Sequence, residues 1–94
     1  MVRVPAIAPN ESYLVFCSDR RGKHRMEIFI VFRRDENWGE PIALPETING
    51  EKSNVDTRLS PDEQRLYFSH DRLVFEVPFQ PLLKWAREHS QQSA

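Results

Sequence analysis

Ile7 to Arg20, IAPNESYLVFCSDR, and Leu59 to Arg72, LSPDEQRLYFSHDR, align without a gap at an offset of 52 residues. Pro9/Pro61, Glu11/Glu63, Leu14/Leu66, Phe16/Phe68, Asp19/Asp71 and Arg20/Arg72 are identical, six of the fourteen positions, and most of the others match in size or polarity. Self-similarity at a fixed offset marks two copies of one supersecondary unit. In each copy an apolar entry meets Pro-Asn or Pro-Asp, and a short aromatic and β-branched run follows. The proline presets φ and the Asn or Asp side chain can bond the backbone after it, so each copy reads as a β-hairpin.

Working outward, EIFIVF at Glu27 to Phe32 holds five consecutive apolar residues. A run without alternation implies a strand covered on both faces. DENWGE then makes a turn through Asp35, Asn37 and Gly39, and PIALP returns as a fourth strand. Strands are predicted near 3–8, 13–18, 27–33 and 41–44, then near 56–60, 65–69 and 73–78. The second unit has no fourth strand, and its third strand, LVFEVPF, follows Arg72 directly, so the loop filled by RGKHRM in the first copy is shortened. From Pro81 the period changes: Leu82, Trp85, Ala86 and His89 fall at i, i+3, i+4 and i+7, with Pro81 suited to a first helical position. The expectation is an all-β chain with a four-stranded antiparallel sheet packed face to face on a three-stranded one, and a short C-terminal helix. Residues 1–54 hold the first unit and linking loop, 55–78 an incomplete second unit, and 79–94 the helix and a frayed tail. An SH3-like or open barrel built from the same hairpins is the alternative.

Ninety-four residues suit one small domain or a piece of a larger one. With 39% hydrophobic residues and 11% aromatic the chain is too apolar to stay disordered. A mean hydropathy of −0.60 leaves no run near the roughly 20 residues of a spanning helix. The single Cys17 excludes an internal disulfide, and MVRVPAIAPN lacks the apolar core of a secretory signal, so a cytoplasmic setting is expected. The net charge of −1 is uneven: residues 1–34 carry +4, residues 35–63 carry −6 and the remainder +1. Clustered RRGKHR can attract phosphates, yet a pI near 6.3 does not suit a nucleic-acid binder, and at most weak binding is expected.

Catalytic motifs are largely excluded. Gly22, Gly39 and Gly50 are too widely spaced for a dinucleotide fingerprint, a P-loop or a nucleophile elbow. His24, His70 and His89 are scattered, and a lone cysteine cannot build a structural zinc site. No catalytic residue, metal ligand or cofactor is assigned. Asp35, Asn37 and Glu40 form an oxygen-bearing turn, but a hard cation wants six to eight oxygens, which favours a plain hairpin. Asn10-Glu11-Ser12 is formally a glycosylation acceptor, expected to stay unmodified without a signal peptide. Cys17 reads as a buried small hydrophobe, and Trp38 and Trp85 as packing residues.

Trp38 and Pro41, a strand ending at Leu44, Ile48-Asn49, then Leu59-Ser60-Pro61-Asp62, Leu66-Tyr67-Phe68-Ser69 and Asp71-Arg72 together resemble the WD40-like, TolB-type β-propeller repeat known as PD40. The resemblance covers most of residues 7–78 and implies two propeller-blade-like sheets. This chain departs from the pattern in carrying Glu11 and Glu63 where the family usually has glycine after Pro-Asp, and in supplying fewer blades than a propeller needs. The resemblance also implies that the loops Asp19 to Met26 and Pro45 to Asp56 emerge on the face such propellers use for binding, one basic and the other bearing Glu46 and Glu51. Asp19, Arg20, Arg21, Lys23, Arg25, His70, Asp71 and Arg72 form the candidate binding rim. Asp19-Arg20 and Asp71-Arg72 close the second strand of their units, and His70 differs from its counterpart Ser18. The competing reading of the repeated pairs is a turn-capping carboxylate and an arginine pairing with a neighbouring blade.

The function expected is a non-catalytic binding or assembly module. The alternative is the detached propeller portion of a peptidase-like or polysaccharide-processing enzyme. Two sheets cover each other once and leave two outer faces, of which a terminal helix can shield one at most. Val74 to Val77 would then present an unpaired edge that accepts a strand from another chain. A homo-oligomer, or docking onto other blades or a protein partner, satisfies both deficits; neither a membrane nor a nucleic acid is expected as partner.

Overall fold

The computed structural model describes residues 6–8, 10, 12–19, 26–50, 55–70 and 72–90, the side chain of Val55 excepted. Over these residues the chain is mostly β, with two antiparallel sheets and one helix. β1 (Ala6–Ile7), β2 (Tyr13–Ser18), β3 (Glu27–Arg34), β4 (Asn37–Trp38) and β5 (Ile42–Ala43) form the first sheet. β6 (Val55–Leu59), β7 (Arg65–His70) and β8 (Leu73–Pro78) form the second, and α1 (Gln80–Ser90) closes the described chain.

The internal repeat survives as hydrogen-bond register. β2 and β7 begin and end at positions 52 residues apart. Ala6↔Val15 and Ile7↔Leu14 in the first hairpin become Arg58↔Tyr67 and Leu59↔Leu66 in the second. The Ala8 N–H donates to the Tyr13 carbonyl and the Ser60 N–H to the Arg65 carbonyl, both at 3.0 Å. In the turns, Asn10 Oδ1 accepts from the Ser12 N–H at 3.1 Å, and Asp62 Oδ1 accepts from the Gln64 N–H at the same distance. These are the side-chain turns expected of Asn and Asp at this place. Pro9 lies outside the described residues, as do residues 3–5 of the first predicted strand.

The sheet's fourth position is filled differently from the prediction. The strand expected over 41–44 is present as the two-residue β5, and a further short strand, β4, pairs with the other end of β3, so the first sheet has five strands rather than four. Asp35, at φ 56°, turns the chain so that Arg33 faces Trp38 and Arg34 faces Asn37. The Gly39 N–H still donates to the Phe32 carbonyl at 2.8 Å, but Pro41 has no N–H to continue the ladder before Ile42. The oxygen-bearing turn is therefore a hairpin turn, with Asn37 and Trp38 in a strand rather than in the loop.

Beyond β5, Asn49 takes over as a strand would. Its Oδ1 accepts from the Ile28 N–H at 2.8 Å, and its Nδ2 donates to the carbonyls of Ile28 at 2.8 Å and Leu44 at 3.2 Å. The side chain is 1% exposed, so these bonds satisfy a backbone edge that water does not reach.

One core fills the space between the sheets. Tyr13, Val15, Cys17, Ile28 and Ile30 enter it from the first sheet, Leu66 and Phe68 from the second, and Phe79, Leu83 and Ala86 from the helix segment. Phe16, Phe29 and Val31 form a second cluster on the opposite side of the first sheet, with Leu14 and Ala43 against it. β3 is thus apolar on both faces, as its unbroken run requires. The helix does not shield an outer face. It lies beside the second sheet on the same inner face, with Phe79 against Tyr13 at a ring separation of 5.6 Å. Its buried line is Phe79, Leu83 and Ala86; Leu82 and Trp85 are half-buried, and His89 is exposed.

Candidate functional site

Of the eight rim candidates, Asp19, His70 and Arg72 fall within the described residues; Arg20, Arg21, Lys23, Arg25 and Asp71 lie outside them, as does much of the two loops expected to share a face. Asp19 is exposed just past β2. Arg72, at φ 64°, is exposed in the turn between β7 and β8. His70 is half-buried. It continues the core-facing row of Leu66 and Phe68, and its ring stacks on Phe75 at 4.2 Å and an interplanar angle of 13°. His70 and Arg72 belong to the same hairpin, whereas Asp19 belongs to the other sheet.

The surface best defined by geometry is the outer face of the second sheet with its free edge. Arg58, Tyr67 and Ser69 lie on that face, opposite the core row of β7, and with Asp56, Pro61 and Val74 they line a hollow of about 550 Å³. Val74 is 75% exposed and Leu73 60%, both on β8. β8 is the outermost strand in the order β6-β7-β8, so among the described residues no strand pairs its far side. On this face Arg65 Nε pairs with Glu76 Oε1 at 3.3 Å, both side chains half-exposed.

The turn at the head of this sheet is tied to the first sheet. Glu63, at φ 61°, occupies the left-handed region, and its carboxylate accepts a hydrogen bond from the Tyr13 hydroxyl. Burial, together with the Glu63 hydrogen bond and charge, pushes the Tyr13 phenol above its ordinary value of 10. The Ser60 hydroxyl and the Gln64 N–H hold the exposed Asp62 carboxyl below the usual carboxylate range.

A second concavity, of about 300 Å³, lies between the β3–β4 hairpin and the end of α1. Phe32, Arg34 and Ser90 line it and also a neighbouring hollow of about 260 Å³, to which Ser12, Arg33 and Arg87 contribute. Arg33 sits 6.0 Å from the centre of the Trp38 ring and Arg87 5.8 Å from that of Phe32. Trp38 is 44% exposed, so it is not the core residue that its type suggests. The sequence reading missed this cationic and aromatic rim because Arg87 is remote from Arg33-Arg34 and only the helix brings it near. Among the described residues no group of three His, Cys, Asp or Glu is placed to hold a metal ion, and no helix is long and apolar enough to cross a membrane. Comparisons with family models, with curated proteins and with solved structures find no match for the chain.

Proposed function

We propose that this protein is a non-catalytic binding and assembly module of the propeller type, whose two sheets are successive blades and whose second sheet receives a further protein partner. The observation that carries this is the manner of stacking. Leu14 and Phe16 are the repeat counterparts of Leu66 and Phe68, yet the first pair faces away from the shared core and the second pair faces into it. The front of one unit therefore packs on the back of the next. A head-to-tail contact of this kind is not self-completing: it always leaves one front and one back. The front left over here is the face of Arg58, Tyr67 and Ser69, with its hollow and the exposed Val74. In a blade array that face is covered by the neighbouring sheet.

Sedimentation equilibrium over a dilution series tests the proposal. The expected result is a mass above the 11.1 kDa of one chain, falling towards it only on dilution. A mass of one chain at every concentration, with cooperative unfolding and no binding of dyes that report exposed apolar surface, would overturn it.

A further inference from the structure

We infer that the first partner is a second copy of this chain, joined along β8 in one register, with Phe75 on the twofold axis; the inference deepens the assembly reading and rests on it. In the first sheet the far edge of β3 is closed by β5, by the Leu44 N–H on the Ile28 carbonyl and by Asn49. The corresponding edge of the second sheet, along β8, has no such cover among the described residues. It is six residues long, enough for a two-sided ladder.

The direction of the free groups follows from the turn. Two residues separate His70 from Leu73, and the pair closing such a hairpin exchanges both backbone hydrogen bonds. Alternation from there gives Phe68↔Phe75 and Leu66↔Val77 as the other bonded pairs. Val74 and Glu76 therefore turn their N–H and C=O groups outward. Pro78, next in that outward series, has no N–H to offer, which ends the usable edge on that side.

A twofold axis through Phe75 makes this edge complementary to itself. Val74 comes opposite Glu76 of the other copy and exchanges both hydrogen bonds with it, and the reverse pair does the same. Phe75 meets its own counterpart, and Leu73 meets Val77, which extends the apolar inner row and covers a leucine that is 60% exposed. Glu76 never faces Glu76, and each keeps its own Arg65. A register shifted to place Glu76 on the axis would oppose two like charges. The first sheet approaches the second mainly through β6, and β8 lies at the opposite side of the second sheet from that contact.

Cysteine cross-linking in a Cys17→Ala background reads the register directly. Mixed Val74→Cys and Glu76→Cys chains, both altered at exposed positions, are expected to form the mixed disulfide dimer on mild oxidation, and neither variant is expected to cross-link with itself comparably. Val74→Pro removes an outward N–H without touching the ladder to β7, so the dimer dissociation constant is expected to rise at least 10-fold with the far-ultraviolet spectrum unchanged. Equal or greater self-linking of Val74→Cys, or a Val74→Pro dimer of undiminished strength, would overturn the register while leaving an assembly of higher mass in place. A chain that sediments as a monomer throughout would overturn both the register and the assembly reading.

Discussion

The Asn49 side chain makes three hydrogen bonds to the backbone of Ile28 and Leu44 from a buried position, so its removal strands the Ile28 N–H, while the Ile28 carbonyl keeps the Leu44 N–H. Asn49→Ala is expected to cost about 2–4 kcal/mol, since a buried N–H left unpaired carries its full desolvation penalty and two further hydrogen bonds are lost with it; denaturant unfolding checks this. Thr57 presents the opposite case. Its hydroxyl is buried at the register shift between Val55 and Arg58, beside Asp56 at φ 55°, and has no hydrogen-bond partner among the described residues. Thr57→Val keeps the shape and removes the orphaned group, so a stabilisation of about 1 kcal/mol is expected by the same measurement. Neither role was legible in the sequence. Asn49 stood only as part of a resemblance, and Thr57 owes its burial to a bulge that composition does not announce. Asn10 and Asp62 were legible, because their bonds are local and need only the two residues that follow.

At the scale of elements, the strands with strong local signals lie where the sequence placed them, as in Tyr13–Ser18 and Leu73–Pro78. β4 was not legible, since two residues carry no periodicity and one of them is a half-exposed tryptophan. The helix was anticipated in extent but not in phase. Phe79 reads in the sequence as the end of LVFEVPF, whereas it begins the buried line that Leu83 and Ala86 continue. It is 0% exposed, its N–H donates to the Gln64 carbonyl and its carbonyl accepts from the Leu83 N–H, both at 2.9 Å. Gln80 Nε2 adds a bond to the Glu63 carbonyl at 2.8 Å. Phe79 therefore holds the helix, the β6–β7 turn and Tyr13 together. Phe79→Ala is expected to cost about 3–5 kcal/mol, a large part of the roughly 5–15 kcal/mol available to a domain. Thermal unfolding followed by circular dichroism is expected to show a fall in Tm of roughly 15 °C or more.

For the whole molecule, the repeat predicted two like units, but it could not say which faces meet. The identical pairs Leu14/Leu66 and Phe16/Phe68 end on opposite sides of the core's boundary, a consequence of stacking that no local pattern encodes. Besides apolar packing, the Tyr13 hydroxyl on the Glu63 carboxylate joins the units, a contact between residues 50 apart in sequence. That bond gives the fold a pH signature. The unfolded chain releases its phenol protons near pH 10, whereas the folded chain retains the Tyr13 proton because burial and the neighbouring carboxylate disfavour the phenolate. Above pH 10 the unfolded state therefore binds fewer protons than the folded one, so stability, fully present below that value, falls as pH rises. Tyr13→Phe keeps the ring against Phe79 and Phe32 but removes the titrating group. Denaturant midpoints between pH 9 and pH 12 are expected to decline more steeply for the unmodified chain than for Tyr13→Phe. Parallel declines would mean that Tyr13 ionises as freely folded as unfolded, and that the bond to Glu63 does not hold the two sheets together in solution.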